Sequence, residues 1–164
     1  MNISGLAAAA IQLAISSAKD LSTSKDDLNL SAQEQFTPGT GSNQLDLIFH
    51  DQRTLGAGAD ESLDLAGSLV DSFGATLAFA KIKVLLIRNL STTQTLTIGN
   101  GANPFLTWVG AATHTVTIPP RGATRSRTPR GGYAVTAGTG DILKIANSAT
   151  NPCDYQIVLA GTSA

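Results

Sequence analysis

Downstream of Asn43, apolar residues come in short bursts at every second position. Leu45, Leu47 and Phe49 alternate with Asp46, Ile48 and His50, Leu63 and Leu65 flank Asp64, and Tyr155, Ile157 and Leu159 share one phase near the end of the chain. A repeat of two is the signature of a strand with one buried face. The run Thr76 to Arg88 differs. Ile82, Val84 and Leu86 fall on one face and Leu85 and Ile87 on the other. Apolar residues on both faces predict a central strand, covered on each side. In Thr113–Ile118 every second residue is Thr, with Val116 and Ile118 on the face that also holds His114. This predicts a strand with a polar β-branched ladder on one side.

Turn chemistry separates these bursts. It recurs at Gly56–Asp60, Asn100–Pro104, Pro119–Pro120, Gly131–Gly132, Gly138–Asp141 and Asn151–Pro152. The gaps are too short for the helices that parallel strands would need between them. Many short strands with Gly, Pro and Asn turns predict an all-β chain: an antiparallel β-sandwich or a jelly-roll-like barrel.

The first 44 residues read differently. Thr37-Pro38-Gly39-Thr40-Gly41-Ser42-Asn43 is a turn or linker. Before it, Leu6, Ala10, Leu13 and Ser17 would align on a helix, and Ala favours helix. Ile11, Leu13 and Ile15 also alternate with Gln12, Ala14 and Ser16, as do Leu28 and Leu30 with their neighbours. Helix and β-hairpin both fit. Lys19–Asp27 is an exposed turn in either case. The division is therefore an N-terminal arm over 1–44, helix or hairpin plus Gly/Pro linker, and a sandwich domain over 45–164.

Composition narrows the function classes. Only 14% of residues are charged, and the net charge is −1. Ordinary domains carry about 25% charged residues. Thr, Ser, Gly, Asn and Ala take their place, which suits a surface covered by neighbours. A nearly neutral chain is not an electrostatic binder of nucleic acid or anionic membrane. The apolar stretch Leu6–Ile15 is too short to span a bilayer. The single cysteine, Cys153, has no CxxC or CxxH spacing and reads as a packing residue near a strand start.

Groups suited to catalysis are sparse. His50, Asp51 and Arg53 form the one compact group of catalytic-type residues, and no nucleophile elbow or paired zinc-type histidines accompany them. It reads as a charged strand end. Asp60, Glu61 and Asp64 could supply a few calcium oxygens, but the spacing of a calcium loop is missing. Gly99-Asn100-Gly101 lacks the Lys-Ser/Thr and the following helix of a phosphate loop. No enzyme activity, metal or cofactor is expected.

Two elements remain as candidate partner contacts. Arg121, Arg125, Arg127 and Arg130 place four of the 11 basic residues within ten positions and no acid among them. With Pro and Gly on either side the segment reads as a loop, solvated, pairing with carboxylates of a neighbouring subunit, or contacting nucleic acid, against which stand the lack of interleaved aromatics and the neutral net charge. The other candidate is the N-terminal segment, with Leu6, Ile11, Leu13 and Ile15.

Several stretches resemble small structural proteins of tailed bacteriophages. They are LDLIFHDQRTLGAGADESLDLAGSLVD from Leu45 to Asp71, then Ser72–Thr76, Tyr133–Asp141 and the ending Asp154–Ala164. The similarity covers most of 39–164. It implies a virion component assembled in the host cytoplasm, without catalytic residues. A capsid decoration or cement protein is the first expectation: a homo-oligomer, possibly a trimer, bound to the major capsid protein. A tail, baseplate or fibre component is a second expectation. A receptor- or sugar-binding module with a groove of exposed aromatics is a third.

Overall fold

The computed structural model describes residues 3–148 and 150–164. Its elements in order are β1 (Gly5–Lys19), β2 (Ser22–Pro38), β3 (Gln44–Leu45), β4 (Leu47–Leu55), β5 (Asp60–Asp64), β6 (Leu69–Val70), β7 (Thr76–Leu77), β8 (Lys81–Asn89), β9 (Leu96–Gly99), β10 (Thr115–Ile118), β11 (Ala123–Arg127), β12 (Tyr133–Ala134), β13 (Ile142–Asn147) and β14 (Cys153–Thr162). No described residue is helical, so the chain is all-β, as the alternation predicted.

Two sheets enclose the main core. One has the order β10-β9-β13-β5, and the other β11-β8-β14-β4, with β12 also pairing β8. All these pairings are antiparallel. The small sheet contributes Leu63, Ile98 and Ile145, and the large one Leu85, Ile87 and Ile157, all buried in one cluster. Both strand orders end in open edges, which is the plan of a sandwich and not of a closed barrel.

The alternation in sequence explains which face is buried. Along β14, Tyr155, Ile157 and Leu159 are buried and the residues between them are more exposed. β8 is central, between β11 and β14, as its two apolar faces predicted. The phase within it needs correction. Ala160 pairs Val84, but Gly161 pairs Ile82, so Lys83 is an extra residue at a bulge. The bulge flips the phase, and Ile82 joins Leu85 and Ile87 in the core. The predicted strand from Thr76 also breaks. Thr76 and Leu77 pair with β6 instead, and Phe79 turns into the core, where its amide donates to Leu65 O at 2.8 Å.

Candidate interaction surface

The N-terminal segment is a hairpin, which settles the helix-or-strand alternative. β1 and β2 pair without interruption from Gly5↔Phe36 to Lys19↔Ser22, with Asp20 and Leu21 as the turn. At about 3.4 Å per residue, a strand of fifteen residues reaches about 50 Å. In an antiparallel pair, residues opposite one another share a face. Ile11 opposes Leu30, Leu13 opposes Leu28, and Ile15 opposes Asp26. The pairs Gln12↔Asn29, Ala14↔Asp27 and Ser16↔Lys25 lie on the other face. One face of the ribbon is therefore apolar from Ala9 and Ala32 out to Leu13 and Leu28, with Glu34 at its base and Asp26 beside Ile15 at its outer end, and the other face is polar or small except for Leu6.

The base of the apolar face is covered by the chain itself. Phe36 is 1% exposed and forms a second small core with Leu45 and Ala160, against which Ile3, Ala7, Ile48 and Val84 pack. Ile48, Val84 and Ala160 stand on the outer face of the large sheet, pointing away from the main core. Ala7 and Phe36 belong to the same hairpin face as Ile11 and Leu30. Farther out the cover ends. Leu13 is 63% exposed, Ile15 70% and Leu30 58%.

Polar contacts fix the base in place. Arg125 Nη1 donates to Ala8 O at 2.5 Å, and Arg127 Nη1 to Ala7 O at 2.7 Å. The linker is held by Lys83, whose ammonium is buried and donates to Gly41 O and Gln44 O at 2.5 and 2.9 Å. Burial pushes the Lys83 pKa below the ordinary lysine value, Lys81 adds to this by repulsion, and Asp46 opposes it. Asn43 closes the linker, donating from its side chain to Glu34 and from its backbone to Pro129 O.

The arginine segment is not the loop expected. Ala123 to Arg127 form β11, in register with Arg88 to Val84 of β8. Thr124 and Ser126 alternate with Arg125 and Arg127, so the pattern of two is present but masked by charge and by the flanking Pro and Gly. Arg121 sits in the preceding turn with φ 61°, and Arg130 lies exposed in the turn before β12. None of these four arginines forms an ion pair among the described residues. Of the hairpin candidates, Ile11, Leu13 and Ile15 come together on one face. Leu6 lies on the opposite face, paired with Gln35. Leu28 and Leu30 complete the stripe. Their alternation is legible in the sequence, but their cross-strand partners are not.

The catalytic-type residues are dispersed into structural roles. His50 and Asp51 point to opposite faces of β4. His50 meets Ser72 Oγ at 3.2 Å, whereas Arg53 Nε meets Asp51 at 3.0 Å. Arg53 Nη1 also reaches Glu61 at 2.5 Å, and Tyr155 OH donates to the other Glu61 oxygen. Burial works against the Arg53 charge, but Glu61 outweighs it and its pKa rises. Burial first, and then the bond to Glu61, raise the Tyr155 pKa strongly. Asp60 faces Lys144 at 3.5 Å, and Asp64 accepts from Ala66 N at 2.8 Å. The acids thus have protein partners. His114 precedes β10 instead of lying within it, and is exposed, with Nδ1 3.0 Å from Val109 O. Cys153 opens β14, fully buried, with Sγ 3.3 Å from Asn89 Oδ1, and burial raises its thiol pKa.

No protein-family model matches the chain, and no curated protein or solved structure matches it.

Proposed function

We propose that the chain is a non-enzymatic structural subunit of a tailed-phage particle, a capsid decoration or cement protein that binds the capsid surface as a symmetric oligomer. One observation carries the assembly part of this reading: a hairpin of about 50 Å whose apolar face is covered at its base and bare beyond it. A two-stranded ribbon is at best marginally stable in water. Burying an aliphatic side chain completely is worth about 1.5–3 kcal/mol. Five such residues, each more than half exposed, leave on the order of 5 kcal/mol unrealised until something covers them. An exposed apolar face of this size marks a site of interaction with another surface, which an assembling subunit needs. The particle part rests on the resemblance of residues 39–164 to phage structural proteins.

Quantitative mass spectrometry of purified particles tests the reading. A copy number comparable to that of the major capsid protein is expected. Absence from the particles, or a copy number far below that of the capsid protein, would overturn the assignment to decoration.

A further inference from the structure

The sandwich is open along one side. β10 and β11 are edge strands of the two sheets, and residues of both line a groove of about 580 Å³, within the size range of small-molecule sites. Register explains the opening. Thr124 pairs Ile87 and Ser126 pairs Leu85. Both therefore point, as those two core residues do, into the space between the sheets. Short hydroxyl side chains stand where the alternation of an ordinary sandwich places large apolar ones, and a local departure of this kind is expected at a functional site. Val116, opposite Ile98, faces the same space from β10. The segment before β10 adds Trp108 and Val109 to the lining. Trp108, the single tryptophan of the chain, is half-buried and packs against the main core.

Among the described residues no Lys, Arg, Asp or Glu lines this groove, so nothing in it selects a charged ligand. Trp108, Val109 and Val116 give it an apolar part, and the rest is hydroxyl and imidazole. The polar groups are only partly used. Ser126 Oγ and Tyr133 OH share a hydrogen bond of 2.7 Å, and His114 Nδ1 lies 3.0 Å from Val109 O. A carbonyl oxygen only accepts, so Nδ1 carries the proton, and in the neutral ring Nε2 is left as an acceptor. The hydroxyls of Thr113, Thr115 and Thr124 have no protein partner among the described residues.

We propose that this groove binds a neutral saccharide. A pyranose ring has a C–H face that packs on the negative face of an indole. It also has a rim of hydroxyls that donate and accept, as threonine hydroxyls do. Trp108 takes the ring, the threonines take the rim, and His114 Nε2 accepts from one ligand hydroxyl. Thr124 and Ser126 lie on the face of β11 opposite to Arg125 and Arg127, which hold the hairpin. The site is therefore separate from the hairpin and does not rest on the particle assignment.

The test applies the full chain to an array of neutral and acidic oligosaccharides, then titrates the strongest neutral hit against tryptophan fluorescence. Because Trp108 is the only tryptophan, the signal reads this groove. Saturable binding of neutral oligosaccharides with a shift in Trp108 emission is expected. Thr124→Val removes a hydroxyl at nearly constant shape, and His114→Ala removes the acceptor at an exposed position. Each should weaken binding by about tenfold, with the thermal transition of the wild type retained. Thr117→Val changes the other face of β10 and should bind as the wild type does. Capture of no neutral oligosaccharide, capture of acidic ones only, or binding that leaves Trp108 emission unchanged would overturn the proposal. So would Thr124 and His114 variants that bind as tightly as the wild type.

Discussion

Arg127 reaches back across 120 residues of chain to donate a 2.7 Å hydrogen bond to the carbonyl oxygen of Ala7. Arg125 does the same to Ala8. The two elements that look adhesive in the sequence thus meet inside one molecule, where the arginines donate to backbone carbonyls of an edge strand. A guanidinium with several donors in a fixed fork suits this task.

Removing that anchor should loosen the hairpin without unfolding the body. A hydrogen bond from a charged donor contributes about 1.5 kcal/mol, and less where water competes. Arg125→Ala with Arg127→Ala should therefore speed amide exchange in the first half of β1 by about tenfold. Exchange in β8 and β14 should stay as in the wild type. Unchanged exchange at β1 would show that packing of Phe36 alone holds the base.

Lys83 makes a pH-dependent contribution. Its folded pKa lies below the value of 10.5 for a free lysine, so the unfolded chain holds more protons in the window beneath 10.5. Stability from this group then rises as pH rises toward 10.5. Denaturation of the wild type and Lys83→Met across mildly alkaline pH should show the wild type gaining relative to the variant. The variant should also be cleaved faster by protease in the linker 37–44, where Gly41 O and Gln44 O lose their donor. A constant difference across pH would contradict the account of Lys83.

Tyr155 works in the opposite direction. Its folded pKa is raised above the free value of 10. The stability it contributes is present in full below pH 10 and is lost as pH rises beyond it. Tyr155→Phe should cost about 1 kcal/mol near neutrality and should flatten the alkaline loss of stability. An equally steep loss in the variant would place its origin elsewhere.

Gly161 has no room for a methyl group. An added Cβ would overlap the backbone carbonyl of Lys81, beside the bulge at Lys83. Gly161→Ala should destabilise by about 3 kcal/mol, because backbone rather than a flexible side chain must move. Calorimetry showing an unchanged transition would mean that the bulge relaxes freely.

Much of this fold is legible in the alternation of residues. The period of two locates β4, β8 and β14 and their buried faces, because a one-residue slip would turn Tyr155, Ile157 and Leu159 to solvent. The bulge at Lys83 is not legible. An inserted residue changes the phase without changing the composition, so alternation alone puts Ile82 on the wrong face. The hairpin stripe needs two strands to be seen at once: Ile11 gains its meaning from Leu30, and only the register supplies that. The arginine strand hides for another reason. Its Thr and Ser face inward and its Arg outward, a polar alternation that carries little hydrophobic signal. His50 and Asp51 show the converse, since neighbours in a strand are the residues least able to form one site.

We propose that the hairpin is an assembly element of a particle. Electron microscopy of intact particles tests it most directly. The sandwich should appear in symmetric clusters on the capsid surface, with the stripe of Ile11, Leu13, Leu28 and Leu30 on every hairpin covered by protein density. A chain absent from the surface, or a hairpin standing free in solvent, would contradict it.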